Sequence, residues 1–217
     1  MEKIRIDYLN NHPDYKVCQH EDMYHFNSDT CLLGEFIKIN KEEEALDIGT
    51  NNGALLIYII KKGGIATGIE INSKALKVCE KTLEINNLSA TLINDDFKKW
   101  KYEKKYDVVV CNPPYFNTKD DAKKSLNENI RIARHEDMLS LDELCNNIPK
   151  HLKENGRLYM VYRPNRLEEL RKKLKNNGLY INEFQYVYDK KINKLRSVLI
   201  FASYVDKQSI QLDDLYI

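Results

Sequence analysis

From Glu44 onward, short apolar runs alternate with stretches of helical periodicity, which predicts an α/β fold built on a parallel sheet. Ala45-Leu46-Asp47-Ile48 reads as the first strand. Residues 54–62 read as the helix after it, closed by Gly63-Gly64. Residues 65–71 form a second strand, and Asn72 or Ser73 caps a helix whose apolar positions Ala75, Cys79 and Leu83 recur every four residues. Residues 91–93 and 108–111 are the third and fourth strands. A capping box of Ser140 and Glu143 opens an amphipathic helix through Leu141, Leu144, Cys145, Ile148 and Leu152, which Pro149 should kink. Residues 157–162 give a fifth strand. Leu167, Leu170 and Leu174 mark a helix that Gly178 ends, and residues 183–188 and 196–204 close the chain as an antiparallel pair. The expected architecture is a mostly parallel seven-stranded sheet with helices on both faces and an antiparallel last strand.

Two segments stand outside this alternation. Residues 1–43 end in an amphipathic stretch capped by Ser28 or Asp29, with Leu32, Leu33, Phe36 and Ile37 as its apolar face. They are expected to form an N-terminal extension to a domain spanning 44–217. Residues 116–137 make a long polar connection after the fourth strand, a length usual for a functional or a disordered loop.

Composition narrows the setting. With 42% hydrophobic and 31% charged residues in 217, the chain suits one well-buried globular domain, and no apolar run reaches membrane-spanning length. Met1-Glu2-Lys3-Ile4-Arg5 lacks the apolar core of a signal peptide, so a cytoplasmic location is expected. Five cysteines without a Cys-x-x-Cys pair argue against a disulfide framework and a zinc site, and no metal is expected. The 34 basic and 33 acidic residues nearly cancel, so a nucleic-acid site must come from local clustering.

The most informative chemistry follows the fourth strand, at Asn112-Pro113-Pro114-Tyr115. Two prolines stop the strand and stiffen the backbone, because neither can donate a ladder hydrogen bond. A side-chain amide oxygen, a rigid carbonyl and an aromatic ring then converge at a strand's carboxyl end, where α/β proteins place ligands. That set suits a planar amino group: two acceptors for its two hydrogens and a ring against its face.

A second constellation suits a cofactor. Asp47-Ile48-Gly49-Thr50-Asn51-Asn52-Gly53 joins the first strand to the first helix, with Asn51 tolerating a turn that glycine would otherwise fill. It is neither a Gly-x-Gly-x-x-Gly loop nor a Lys-Ser/Thr phosphate loop. Asp47 would repel a pyrophosphate but sits well beneath an ammonium. Glu70, ending the second strand, is placed to accept from two ribose hydroxyls. After the third strand, Asp96, in preference to Asp95, can accept from an exocyclic amine while Phe97 packs on a purine. An ammonium, a ribose and an adenine without phosphate describe S-adenosylmethionine.

With these residues in hand, the chain resembles the Rossmann-like class I S-adenosylmethionine-dependent methyltransferases. Among them it looks most like the Asn-Pro-Pro-Tyr enzymes, in particular the bacterial tRNA (adenine-N6) methyltransferases acting beside the anticodon of a valine tRNA. The resemblance spans nearly the whole chain and includes residues 24–33, Ala133-Arg134-His135-Glu136 and Arg196-Ser197-Val198-Leu199. It implies that the extension packs over the cofactor's methionine end through Ser28, Asp29 and Thr30. It implies further that Asp47, Gly49, Asn51, Gly53, Glu70, Asp96, Phe97 and Asn112 line the cofactor site, while Asn112, Pro113, Pro114 and Tyr115 hold the acceptor. Asn51 and Asn52 depart from the family's glycine-rich loop. A tRNA substrate, no membrane and a monomer are expected.

Two other readings stay open. The same acceptor geometry fits a protein glutamine amide, although such enzymes usually carry a helical recognition domain that residues 1–43 could hardly supply. A non-catalytic RNA-binding module with a vestigial pocket has no need for Asp47, Glu70, Asp96, Asn112 and Tyr115 together. Basic residues cluster in two places suited to phosphates: Lys119, Lys123, Lys124, Arg131 and Arg134 in the loop after Tyr115, and Lys190, Lys191, Lys194 and Arg196 around the final turn.

Overall fold

The computed structural model describes residues 4–10, 12–21, 23–101, 103–113 and 139–217. An N-terminal hairpin pairs β1 (Ile4–Leu9) with β2 (His12–His20), and α1 (Ser28–Phe36) follows. The alternating core then runs β3 (Glu44–Ile48), α2 (Ala54–Lys61), β4 (Ile65–Glu70), α3 (Ser73–Ile85), β5 (Thr91–Asn94) and β6 (Tyr106–Cys111). It continues through α4 (Leu141–His151), β7 (Leu152–Tyr162), α5 (Leu167–Asn176), β8 (Tyr180–Asp189) and β9 (Lys194–Ser203), and ends with the short strands β10 (Ile210–Gln211) and β11 (Leu215–Tyr216).

The sheet orders these strands β10-β8-β9-β7-β6-β3-β4-β5, with β11 also on β8. Only β9 runs antiparallel to its neighbours. The seven expected strands are therefore present with the expected sense, and β10 and β11 extend the edge beyond them. Period-two alternation sorts each central strand between two layers. Val109 and Cys111 of β6 face Leu144, Cys145 and Ile148 of α4 and Leu170 and Leu174 of α5. Val108 and Val110 face Leu33 of α1 and Ile37 just after it, Leu55, Leu56 and Ile59 of α2 and Leu83 of α3. Helices thus cover both faces.

Three local expectations shift. The cap of α1 is Asn27, ahead of both Ser28 and Asp29, because its Oδ1 accepts from Thr30 N (3.2 Å) while its own N–H donates to Thr30 Oγ1 (3.4 Å). Pro149 lies in the last turn of α4, where a missing donor closes the helix instead of bending its middle. The hairpin β1–β2, not expected from the sequence, packs Leu9 and Val17 against Cys31, Ile57 and Tyr58. Its outer edge is satisfied by α3, since Lys16 N and Cys18 N donate to Asn86 Oδ1 and Thr82 Oγ1, each at 3.0 Å. The far end of α1 is pinned as well: the Lys62 ammonium donates to the carbonyls of Gly34, Glu35 and Ile37 at 2.8–2.9 Å.

Candidate active site at the sheet's switch point

The chain steps outward through β3, β4 and β5, then returns to β6 on the other side of β3. The carboxyl ends of β3 and β6 therefore bracket the crevice where open α/β sheets bind ligands. Asp47 pairs with Val110 and Ile48 with Cys111, which sets Asp47 and Asn112 on its two walls.

Asp47 is 1% exposed, and neither carboxylate oxygen has a hydrogen-bond partner among the described residues. Burial pushes its pKa up to about 7; the nearby Thr50 hydroxyl offsets part of this and the Glu70 charge adds to it. That hydroxyl does not reach bonding geometry with either oxygen, and the buried Asn52 Nδ2 is likewise without a partner. A buried carboxylate with no donor is costly unless a cation or hydrogen-bond donor meets it.

The loop beyond Asp47 folds back over β4, where Gly49 N and Thr50 N both donate to Ile69 O, at 2.9 and 3.1 Å. Gly49 has φ +72, and the space its Cβ would occupy is open for 4 Å. Gly53 has φ +81, and a Cβ there would lie 2.7 Å from Cys79 Sγ, so the helix start tolerates nothing larger. Asn51 adopts φ +48, donates its N–H to Glu70 Oε2 (3.0 Å) and its side-chain Nδ2 to Tyr24 O (2.7 Å). Where the resembled family has glycine, this side chain ties the loop to the segment before α1.

Glu70 is half-buried. Its other oxygen accepts from Asn72 N (2.9 Å), and burial raises its pKa against the lowering effect of the Asn72, Asn51 and Ile71 amides. Two amides occupy one lone pair on each oxygen, leaving further acceptor capacity for hydroxyl donors. At the end of β5, Asp95 is exposed and accepts from Asp96 N. Asp96 Oδ1 accepts from Lys98 N (3.0 Å), and its Oδ2 lies 4.0 and 3.8 Å from the Lys98 and Lys99 ammonium groups. Phe97 is enclosed in the core, its ring 5.3 Å from that of His151.

On the opposite wall, Asn112 is half-buried and donates Nδ2 to Thr30 Oγ1 (2.9 Å). The Thr30 hydroxyl hydrogen faces Asn27 Oδ1 (3.5 Å), which leaves its lone pairs to accept and fixes which end of the Asn112 amide points away. Pro113 is buried beside it. Asp29, 5% exposed, accepts from Ser197 Oγ (2.9 Å) and lies 3.5 Å from Arg196 Nε, so consecutive residues of α1 grip β9 and the acceptor turn. Ser28 is half-buried at the start of α1. Pro114, Tyr115 and the basic loop 116–137 lie outside the described residues. Among the described residues, no group of His, Cys, Asp and Glu could hold a metal, and no helix is long and apolar enough to cross a membrane.

The structure thus brings Asn51 to Glu70 and Thr30 to Asn112, whereas Asp96 and Phe97 meet their nearest partners in their own turn and in the core. The Asn51–Tyr24 and Asp29–Ser197 ties escaped the sequence reading. No local pattern signals a bond between residues so far apart.

The Methyltransferase small domain family matches residues 15–187. The chain belongs to that family. A relative from Trichodesmium erythraeum described as a tRNA1(Val) (adenine(37)-N6)-methyltransferase is 28% identical over 163 residues. The match covers 70% of this chain and 66% of that relative, just under two thirds of its length. A putative protein N5-glutamine methyltransferase of Methanocaldococcus jannaschii is 29% identical over 143 residues, covering 65% of this chain and 72% of its own. In architecture the chain is similar to the Thermus thermophilus 16S rRNA N2 G1207 methyltransferase solved with AdoMet and guanosine. The TM-score is 0.67 at 17% identity, over 93% of this chain and 50% of that one. The fold is that of the Rossmann-like class I methyltransferases.

Proposed function

We propose that the protein transfers a methyl group from S-adenosylmethionine to the 6-amino group of an adenosine in tRNA, beside the anticodon of a valine tRNA. The observation that supports it most is the Asn112 amide, oriented by Thr30 at the carboxyl end of β6 and facing the orphaned Asp47 across the switch point. The description tRNA1(Val) (adenine(37)-N6)-methyltransferase recurs among the relatives, which favours adenine in tRNA as the acceptor.

The residues fit the cofactor. Asp47 offers a buried carboxylate to an ammonium, Gly49 leaves open space where a side chain would intrude, and Glu70 retains acceptor capacity for ribose hydroxyls. When bound, S-adenosylmethionine supplies an electrophilic sulfonium methyl group. The chain's part is to present the nucleophile. An adenine 6-amino nitrogen is weakly nucleophilic because its lone pair is delocalised into the ring. Accepting its two hydrogens at Asn112 Oδ1 and the Pro113 carbonyl draws that nitrogen toward tetrahedral geometry and frees the lone pair. Preorganised acceptors of this kind are worth about 3 kcal/mol each, roughly a hundredfold in rate. Tyr115 would stack on the base, which in an anticodon loop is already unpaired.

The second reading is methylation of a protein glutamine amide, favoured by the M. jannaschii relative. Incubation with labelled S-adenosylmethionine and bulk unmodified tRNA, followed by nucleoside analysis, separates the two. Label in N6-methyladenosine that disappears with Asn112→Ala supports the proposal. Label in protein alone would favour the amide reading.

A further inference from the structure

The turn between β8 and β9 gathers cations on the active edge of the sheet. Because β9 is antiparallel to both β7 and β8, the end of β8 and the start of β9 fall on the same edge as the carboxyl ends of β6 and β7. The order β6-β7-β9-β8 puts that turn two to three strands across from Asn112, and the register sets Lys194 five residues along β9 past Leu199, the residue level with Asn112, so the separation is about 20 Å at the usual strand spacing and rise. A few nucleotides of chain cross such a distance.

The turn is built to present its lysines. Asp189, the acid beside them, uses its Oδ1 to accept from Lys191 N and Ile192 N at 2.9 and 3.4 Å, and Asn193 closes the bend at φ +45. The C-terminal residues brace it: Lys190 N donates to Ile217 O (2.8 Å) and Ile217 N to Tyr188 O (3.0 Å). Lys190, Lys191 and Lys194 are exposed, and none has an ion-pair partner among the described residues. Ile192 projects from the tip at 66% exposure. Arg196, next along β9, turns inward to Asp29, one residue from the Thr30 that holds Asn112. Arg163 stands exposed at the end of β7, between the turn and the acceptor motif.

We infer that the β8–β9 turn is an RNA-docking surface, whose Lys190, Lys191 and Lys194 contact backbone phosphates of the tRNA a few nucleotides from the target adenosine. This rests on the tRNA reading above and adds where the RNA body lies. Three unpaired cations on a braced tip match a polyanion's spaced charges, and they position it without reading its bases. The link from Arg196 through Asp29 and Thr30 to Asn112 fixes the docking turn relative to the acceptor amide.

The test is tRNA binding from low to high salt for the parent and for the triple variant Lys190→Gln, Lys191→Gln, Lys194→Gln. A Lys→Arg triple retains the charge. Losing three phosphate contacts should flatten the salt slope by about 2–3 units and weaken binding on the order of a hundredfold near 0.15 M salt. The Arg triple should bind like the parent, and S-adenosylmethionine affinity and melting temperature should not move in either. Parent-like affinity and slope in the Gln triple, with the parent still methylating tRNA, would overturn the docking surface and leave the proposed function standing. A Gln triple that lost cofactor affinity along with tRNA affinity would also count against it. A parent that neither bound nor methylated tRNA would remove both.

Discussion

Asp47→Asn should make the ligand-free protein more stable at neutral and alkaline pH while removing cofactor binding. The carboxyl group is 1% exposed, has no partner among the described residues, and its pKa rises from 3.8 to about 7 on folding. Between those two values the folded state keeps its proton and the unfolded state loses it. Stability therefore falls as pH rises, by about 1.4 kcal/mol per unit, and the full cost is in place above pH 7. Over the whole interval that amounts to about 4 kcal/mol, on the order of 10 °C in melting temperature for a chain of this size. An amide at the same position cannot ionise, so the stability of the variant relative to the parent should be lowest near pH 4, rise steadily and level off above pH 7. Its constant offset reflects the amide's own buried donors, about 1–3 kcal/mol, so the rise with pH is the diagnostic quantity. Melting curves from pH 4 to 8, with and without S-adenosylmethionine, measure it. The cofactor should raise the parent's melting temperature and leave the variant's unchanged. Since an ammonium favours the carboxylate form, affinity for the parent should drop by up to about tenfold per unit below pH 7. A relative stability that stays flat across pH, or a variant that still binds the cofactor as tightly as the parent, would refute the account of Asp47.

Thr30→Val keeps the shape of the side chain but deletes the hydroxyl that holds Asn112 Nδ2. Turnover should fall about tenfold or more, with the loss in kcat exceeding any loss in cofactor affinity, as steady-state kinetics beside calorimetry would show. Asn51→Gly preserves the loop's positive φ but releases Tyr24 O, so hydrogen exchange over residues 23–27 should quicken and the cofactor should dissociate several-fold faster. Asn51→Ala loses the same bond and adds backbone strain of about 1 kcal/mol, visible as a lower melting temperature than the glycine variant.

The alternating core was legible because its signals are local. Val108-Val109-Val110-Cys111 can only be a buried strand with two apolar faces, and Ser140 with Glu143 announces a helix start whatever surrounds it. The turn geometry of Gly49, Asn51 and Gly53 was legible for the same reason, since positive φ is a property of single residues. The N-terminal hairpin was not. Ile6 and Tyr8 are 50% and 53% exposed, so β1 shows no buried face of its own, and β2 is held instead by Asn86 and Thr82 of α3. The cap of α1 falls at Asn27 and not at Ser28 or Asp29 because Asn27 and Thr30 bond reciprocally, and Thr30 is also fixed from outside by Asn112, 82 positions away. The bond that Asp29 accepts from Ser197, 168 positions away, had no local signal either. Asp47 could be read as an acid at a strand end, but its burial and its lack of any partner come from strands, helices and loops meeting around it. Periodicity and capping act within a few residues and survive in the linear chain. Desolvation and the partner of each polar group depend on surfaces that exist only once the sheet has closed its two layers, and those decided which residues face the crevice.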